Sequence, residues 1–137
     1  MKTVKAIIEQ GNDGTYGVYI DLNENGLNYA VIGDGKTVQE AKEDFYGCYD
    51  DMKKSFEKDK QPFEEVEFEF EYDIASFLNY YSKVITLSGL EKLTGVNQRQ
   101  LSHYATGRKH PRPIMVRKIE TSLHNFSREL SQVHFYV

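Results

Sequence analysis

The stretch Thr94–Pro113, TGVNQRQLSHYATGRKHPRP, contains Lys and Arg side chains but no carboxylate. It belongs to a longer acid-free segment, because neither Asp nor Glu occurs from Lys92 to Ile119. Between Gln98 and Thr106 the one strongly apolar residue is Leu101, and this pattern is typical of a short helix that buries a single narrow side. We therefore interpret the stretch as a basic, exposed helix between two glycine turns.

The residues on either side predict further short helices. Thr86 and Asn97 can cap the second and third helices, Gly95 and Gly107 can end them, and Pro113 suits the first turn of the fourth. The third helix is expected from Gln98 to about Thr106. The apolar positions expected to face a common core are Phe77, Leu78, Tyr81, Leu87, Leu90, Leu93, Leu101, Met115, Ile119 and Leu123.

Two short helices joined by Gly95-Val96-Asn97 fit a helix-turn-helix, in which the second helix lies in the DNA major groove. Leu101 is expected to pack inward against Leu90 and Val96. The side chains that then face outward, or follow the helix, are the candidate DNA-binding residues Gln98, Arg99, Ser102, His103, Arg108 and Lys109. Gln and Arg suit adenine and guanine edges, and cations after the helix suit phosphate. The alternative is a plain helical bundle with a solvated cationic face.

Residues 74–125 resemble the XRE/Cro-like helix-turn-helix family. The matching residues are Leu90, Thr94-Gly95-Val96-Asn97, Leu101-Ser102, Tyr104, Gly107-Arg108-Lys109 and Pro111. The resemblance implies that Gln98, Arg99 and His103 read bases, and that Ser102, Arg108 and Lys109 contact phosphate. Glu91 departs from the family pattern, since a small residue is common there, and it is expected to alter the packing of the two helices.

Charge divides the chain into two parts. Residues 1–73 contain 8 Lys/Arg against 18 Asp/Glu, a formal charge of -10, whereas residues 74–137 contain 9 against 3, a formal charge of +6. Such an asymmetry predicts two domains, 1–73 and 74–137, with different partners.

The acidic part follows a β-β-β-α-β pattern. Val4–Glu9 and Tyr16–Ile20 are predicted to form a hairpin around a turn at residues 12–14. A break at Asn23, Asn25 and Gly26 precedes a third strand at Tyr29–Ile32, which Asp34-Gly35 is expected to end. Glu65–Tyr72 alternates strictly, which predicts a strand with one packed face and one charged, solvated face.

Thr37 and Glu40 form a capping box, which predicts the start of a helix of about five turns. Its apolar stripe consists of Val38, Ala41, Phe45, Tyr49, Met52 and Phe56, and its acidic face of Glu40, Glu43, Asp44, Asp50 and Asp51. The predicted fold class is therefore α+β, a small β-β-β-α-β domain followed by an all-α domain.

No catalytic, metal or cofactor site is predicted. The acids have no metal-loop spacing, residues 1–73 contain no His, and His103 and His110 lie seven residues apart without a nearby carboxylate or thiol. Cys48 is interpreted as a packed thiol. No signal peptide or apolar span of about 18 residues occurs, so a soluble cytoplasmic protein is expected.

The first 72 residues or so resemble the HicB family of antitoxins. The matches are Asp13-Gly14, Tyr16, Val18, Asp21, Gly26 and Thr37-Val38-Gln39-Glu40-Ala41, while the prolines that the family usually has near the Asp are absent. The resemblance implies a partial ribonuclease-H-like fold without that enzyme's catalytic acids. It also implies a type II antitoxin that neutralises a small, basic, HicA-like ribonuclease toxin.

Together the two resemblances imply an antitoxin that also represses its own operon by binding operator DNA, as a homodimer or higher homo-oligomer. Two alternatives stay open. One is a stand-alone helix-turn-helix regulator whose first domain mediates dimerisation or ligand sensing. The other is an enzyme built on the ribonuclease-H-like unit, which the residues make the weaker interpretation.

Overall fold

The structure is a computed structural model that describes residues 1–21 and 26–137. The chain divides into two compact units, Met1–Asp73 and Ile74–Val137, and this boundary lies where the charge changes sign. Over the described residues it forms four strands and five helices, which confirms the predicted α+β class. The break predicted at Asn23 and Asn25 lies outside the described residues.

The first unit is a sheet with a helix on one face. Its strands are β1 (Lys2–Gln10), β2 (Tyr16–Ile20), β3 (Ile32–Gly35) and β4 (Val66–Tyr72), and α1 (Val38–Lys58) lies between β3 and β4 in the chain. In the part that the structure describes, the strand order is β3-β2-β1-β4, with β1 antiparallel to β2 and parallel to β4. The β-β-β-α-β order is thus the predicted one, and β4 is an edge strand.

The predicted position of the third strand is wrong. The strand was expected at Tyr29–Ile32, but it begins at Ile32 and includes Asp34 and Gly35. Tyr29 instead stacks on Phe63 at 4.5 Å between ring centroids, and its hydroxyl donates to the Glu64 carbonyl at 2.6 Å. Its ring therefore packs in an aromatic cluster, and the ladder to β2 starts three residues later.

The helix α1 starts and packs as its sequence predicts. The Thr37 hydroxyl accepts a hydrogen bond from the Glu40 amide at 3.1 Å, and the Glu40 carboxylate accepts one from the Lys36 amide at 2.9 Å. On the inner face Phe45 is fully buried, with its ring centroid 4.7 Å from that of Phe68 and 5.8 Å from that of Phe70. Capping and aromatic burial together hold α1 on one face of the sheet.

Close contact between β3 and α1 depends on glycine. A Cβ atom added to Gly33 would lie 2.3 Å from the Phe45 amide nitrogen and 2.4 Å from the Ala41 carbonyl oxygen. Both atoms belong to the backbone of α1, so neither can move away as a flexible side chain would. The spacing between helix and strand is therefore set by the missing side chain.

The second unit consists of α2 (Ile74–Tyr81), α3 (Leu87–Thr94), α4 (Gln98–Ala105) and α5 (Pro113–Ser131). Its buried cluster consists of Leu78, Leu90, Val96, Leu101, Tyr104 and Ile119. The predicted caps are confirmed, because the Thr86 hydroxyl accepts from the Gly89 amide at 3.0 Å and the Asn97 side chain accepts from the Arg99 amide at 2.7 Å. Pro113 lies in the first turn of α5, as predicted.

Gly33→Ala is expected to destabilise the protein by about 3 kcal/mol or more, because the added methyl group overlaps backbone atoms and forces α1 away from β3. Gly47→Ala is the matched control, since a Cβ there meets nothing within 4 Å. Gly47 lies inside α1, so its replacement should stabilise by about 0.5–1 kcal/mol through helix propensity. Urea unfolding followed by circular dichroism measures both changes. Equal effects of the two substitutions would contradict this account of the β3–α1 contact.

Candidate functional site

The turn between α3 and α4 is held by hydrogen bonds from its own residues. Gly95 has a positive φ of 75°, and its amide donates to the Glu91 carbonyl at 2.8 Å. The Thr94 side chain is buried; its hydroxyl donates to the Leu90 carbonyl at 2.7 Å and accepts from the Val96 amide at 3.0 Å. These bonds satisfy the backbone groups that a helix end leaves free, so the direction in which α4 leaves the turn is well defined.

Glu91 has a role that sequence reasoning missed. Its carboxylate accepts a hydrogen bond from the Gln98 amide at 2.7 Å, across the turn from α3 to α4. Glu91, which departs from the XRE/Cro-like pattern, therefore links α3 to α4 through this hydrogen bond. The contact spans seven residues and follows no local capping rule, so no sequence signal pointed to it. Since Asn97 accepts from the Arg99 amide, both leading amides of α4 are occupied inside the protein.

Burial sets the rotation of α4 about its axis. Leu101 is fully buried and Tyr104 nearly so, whereas Gln98 and Arg99 are exposed. Successive residues turn by about 100° around a helix, so the inward positions leave one continuous outward sector. The predicted DNA-binding residues lie in this sector or just after the helix: Gln98, Arg99, Arg108 and Lys109 are exposed, and Ser102 and His103 are half-buried.

His103 is less accessible than its predicted role requires. Its Nδ1 atom is enclosed and has no hydrogen-bond partner among the described residues. Burial lowers the pKa of His103 below its usual value, and the positive charges of Lys109, Arg108 and Arg99 lower it further. These three cations thus act electrostatically on His103. Gln98 and Ser102 are related to His103 only because they lie on the same helix, α4.

We name the exposed residues Arg99, Arg108 and Lys109, with the outward sector of α4, the basic surface. Gly107, at a positive φ of 77°, turns the chain after α4 so that Arg108 and Lys109 follow directly. The carboxylate nearest in sequence belongs to Glu91, which is bonded to the Gln98 amide. A surface with several cations within an acid-free stretch of sequence suits a ligand with repeated phosphate groups.

The first unit offers a second surface, on the side of the sheet away from α1. Buried residues such as Val4, Val18 and Val66 alternate along the strands with residues that face the other way. We name this other side the open sheet face. Its strand positions are Thr3, Lys5, Ile7, Glu9, Gly17, Tyr19, Ile32, Asp34, Glu67, Glu69 and Glu71.

An apolar row crosses the open sheet face between carboxylates. Strand register aligns Ile7 with Tyr19 and Tyr19 with Ile32, and the Ile32 side chain is 61% exposed. The Tyr19 hydroxyl donates to Glu9 at 2.7 Å, and this bond, together with burial, raises the pKa of Tyr19 to about 12. Five strand carboxylates surround the row against one cation, Lys5, so the face is strongly negative.

Little of the negative charge on the open sheet face is neutralised by ion pairs. Lys5 forms an ion pair with Glu71 at 3.0 Å. Glu67 and Glu69 on β4 have no ion-pair partner among the described residues, and both are exposed. A depression of about 470 Å³ is lined in part by Lys2, Lys5, Ile7, Tyr19 and Glu71. The face therefore combines apolar contact area with unpaired negative charge.

Two kinds of feature are missing from the part of the chain that the structure describes. No group of three or more His, Cys, Asp or Glu side chains in residues 1–21 and 26–137 could hold a metal ion. Within the same ranges, no helix combines the length and the apolar character that crossing a membrane requires. Cys48 is half-buried on α1, beside a shallow groove that Asp44 and Asp51 also line. The basic surface and the open sheet face are the two candidate sites for charged partners.

A pH titration tests the environment of His103. Its pKa is expected to lie below the ordinary value of about 6.5, because burial and nearby cations disfavour the protonated ring. As the pH falls through about 6.5, the unfolded chain takes up a proton that the folded protein resists, so this group makes the protein less stable in acid. His103→Gln should remove this part of the loss of stability in acid. His124→Gln, an exposed control on α5, should lose stability in acid as the wild type does. Histidine NMR and urea unfolding at several pH values measure both effects; a pKa for His103 at or above 6.5 would contradict the assignment.

The chain matches no protein-family model, no curated protein sequence and no solved structure. The resemblances to the HicB and XRE/Cro-like families therefore rest on the quoted motifs alone. What the protein does is inferred from the charge and geometry of its two surfaces.

Proposed function

We propose that the protein is a DNA-binding antitoxin: the second unit binds the operator of its own operon and represses it, and the first unit neutralises a small, basic ribonuclease toxin. The observation that carries the proposal is the basic surface, where exposed cations follow a short helix whose rotation is set by Leu101. The acidic open sheet face supports the toxin-binding part.

The DNA-binding part follows from how α3 and α4 are joined. We infer a helix-turn-helix, with α4 as the helix that enters the major groove. Gln98 and Arg99 are exposed at its amino-terminal end, where base edges come within reach, and Arg108 and Lys109 follow its other end. Because two leading amides of α4 are already bonded to Glu91 and Asn97, phosphate contact falls to side chains.

The toxin-binding part follows from charge. A basic protein that binds RNA is attracted to a negative surface, and complementary charge speeds its association. On the open sheet face the apolar row through Tyr19 supplies contact area, and Glu67 and Glu69 supply unpaired charge. Because unpaired carboxylates and this apolar row lie on the same side of the sheet, we infer that the toxin binds the open sheet face.

The proposal also includes the fold of the first unit, the cellular location and the number of copies that bind DNA. We infer that the first unit is a partial ribonuclease-H-like unit of the HicB type, acting without catalysis in the cytoplasm. A single DNA-reading helix covers little DNA, so two copies are expected to bind operator half-sites related by a two-fold axis. The alternative is a stand-alone regulator with no toxin, and the partner experiment below separates the two.

Arg99→Ala and Lys109→Ala separate base reading from phosphate contact. Arg99→Ala is expected to cost about 1–3 kcal/mol on the operator and to relax specificity at one base position per half-site. Lys109→Ala should weaken specific and nonspecific DNA about equally and reduce the salt slope by about one unit for each phosphate that the protein no longer neutralises. Salt titrations on operator and scrambled duplexes measure both. Unchanged operator preference in Arg99→Ala would remove that residue from the recognition role.

The wild-type protein supplies the broader test on the same duplexes. At low salt the attraction between cations and phosphates is largest, so even scrambled duplex should bind measurably. If the wild type binds no DNA under these conditions, the basic surface is only a solvated cationic face and the DNA-binding part of the proposal fails.

A pull-down from the native host with the full chain as bait should recover a small basic protein, and added salt should weaken the complex because exposed charges are screened. Glu67→Lys with Glu69→Lys is expected to weaken it by at least ~10-fold, through like-charge repulsion on the open sheet face. Asp50→Lys with Asp51→Lys, exposed on α1, makes the same charge change elsewhere and should have a much smaller effect. Mass spectrometry identifies the partner, and a binding titration with the purified partner measures the change in affinity.

The outcomes are distinct. Recovery of no basic partner would favour the stand-alone regulator. A partner whose binding is abolished only by the α1 variant would keep the antitoxin function and move its contact surface from the sheet to the helix.

A further inference from the structure

An apolar stripe runs along α5 and past its end. Ile119, Leu123, Phe126, Leu130 and Val133 follow one another at alternating spacings of four and three residues. That alternation is the heptad pattern of helices that pack along a common seam. The Val133 amide donates to the Leu130 carbonyl at 3.1 Å, so Val133 continues the turn of the helix although α5 ends at Ser131.

The stripe has two parts with different surroundings. Ile119 is buried in the core of the second unit, and Leu123 packs against that core. Phe126, Leu130 and Val133 lie outside the core cluster; Leu130 is 53% exposed and Val133 is 50% exposed. The same line of side chains thus begins inside the unit and continues, without a polar interruption, into solvent.

Large apolar side chains continue beyond the stripe. Phe135 is 88% exposed, and Tyr136 and Val137 are fully exposed. An aromatic side chain covers about 150–250 Å² when it is buried. With Leu130 and Val133, these residues can supply a large share of the roughly 800 Å² per partner that a stable interface needs. Five large apolar side chains exposed within eight residues are more typical of an association surface than of an ordinary solvent-facing segment.

We propose that this segment, Phe126–Val137, is the interface through which two copies of the chain form a homodimer. The charge distribution favours a second copy as the occupant. From residue 119 to residue 137 the chain has Arg128 against Glu120 and Glu129, so the segment is almost neutral. The positive charge of the second unit is concentrated before residue 119. Two such segments can therefore meet without the repulsion that would oppose pairing of the basic surfaces.

A strongly charged partner would find little complementarity on this segment, whereas an identical apolar stripe matches it in both pattern and charge. The contact is isologous, with the same residues supplied by each copy. This proposal deepens the proposed function, which needs two copies on a two-fold operator, but the exposed stripe that carries it does not depend on DNA binding.

The test compares the full chain with two variants by light scattering and sedimentation at micromolar concentration. The wild type should be a dimer. Leu130→Asp with Val133→Asp should weaken dimerisation by at least ~30-fold, because each copy then places two charges in the apolar contact. Ile114→Asp is the matched control: Ile114 lies on the same helix, is 70% exposed and is outside the stripe. It should dimerise as the wild type does.

Two additional variants keep the result interpretable. Val133→Asp alone lies beyond α5, so its charge is solvated in a monomer and folding is retained; it should still weaken the dimer. Leu130→Met keeps the apolar volume and should leave the dimer intact. A monomeric wild type, or a dimer that survives both Asp substitutions, would overturn the proposal.

DNA titrations with the same samples separate the two proposals. A dimer that the Asp substitutions dissociate but that binds no DNA would uphold this interface and reject the proposed DNA-binding function. Operator binding by a monomeric wild type would support the proposed DNA-binding function and reject this interface.

Discussion

The burial of Leu101 is the constraint on which the candidate DNA-binding surface depends. Leu101 is the one strongly apolar residue in the middle of α4, and it is enclosed with Leu90 and Val96 in the core of the second unit. Because one large side chain must point inward, the rotation of α4 follows, and with it the outward direction of Gln98 and Arg99. The hydrogen bonds of Thr94 and Glu91 also fix the direction in which α4 leaves the turn. The proposed base-reading side chains can therefore be held in place without apolar residues of their own.

Much of this arrangement could be predicted because its signals are local. A cap such as Thr86 or Asn97 satisfies backbone groups within its own turn, and Leu101 marks the inner side of its own helix. The failures involve contacts between residues distant in sequence. Tyr29 has the composition of a strand residue, yet Phe63 and Glu64 hold it in an aromatic cluster. The enclosure of His103 Nδ1 likewise depends on the packing of a whole unit, which no spacing rule encodes.

The two units carry an excess of opposite charge around similar buried apolar faces. In each, an apolar face is buried and one sign of charge is in excess outside it, negative in the first unit and positive in the second. Such surfaces repel themselves, so they stay available for partners of the opposite sign. The stripe at Leu130 and Val133 differs because it is apolar and nearly neutral, which suits contact between like chains.

The position of β1 in the sheet has a consequence for how the chain folds during synthesis. β1 pairs with β2 soon after it is made, but its other edge pairs with β4, with Lys2 opposite Val66. The ribosome must therefore release nearly the whole first unit before the sheet can close, and until then one edge of β1 is open to misassociation. The second unit relies on helices that form from nearby residues, so it can fold quickly once it emerges. Synthesis thus places the slow, long-range step first and the fast, local one last.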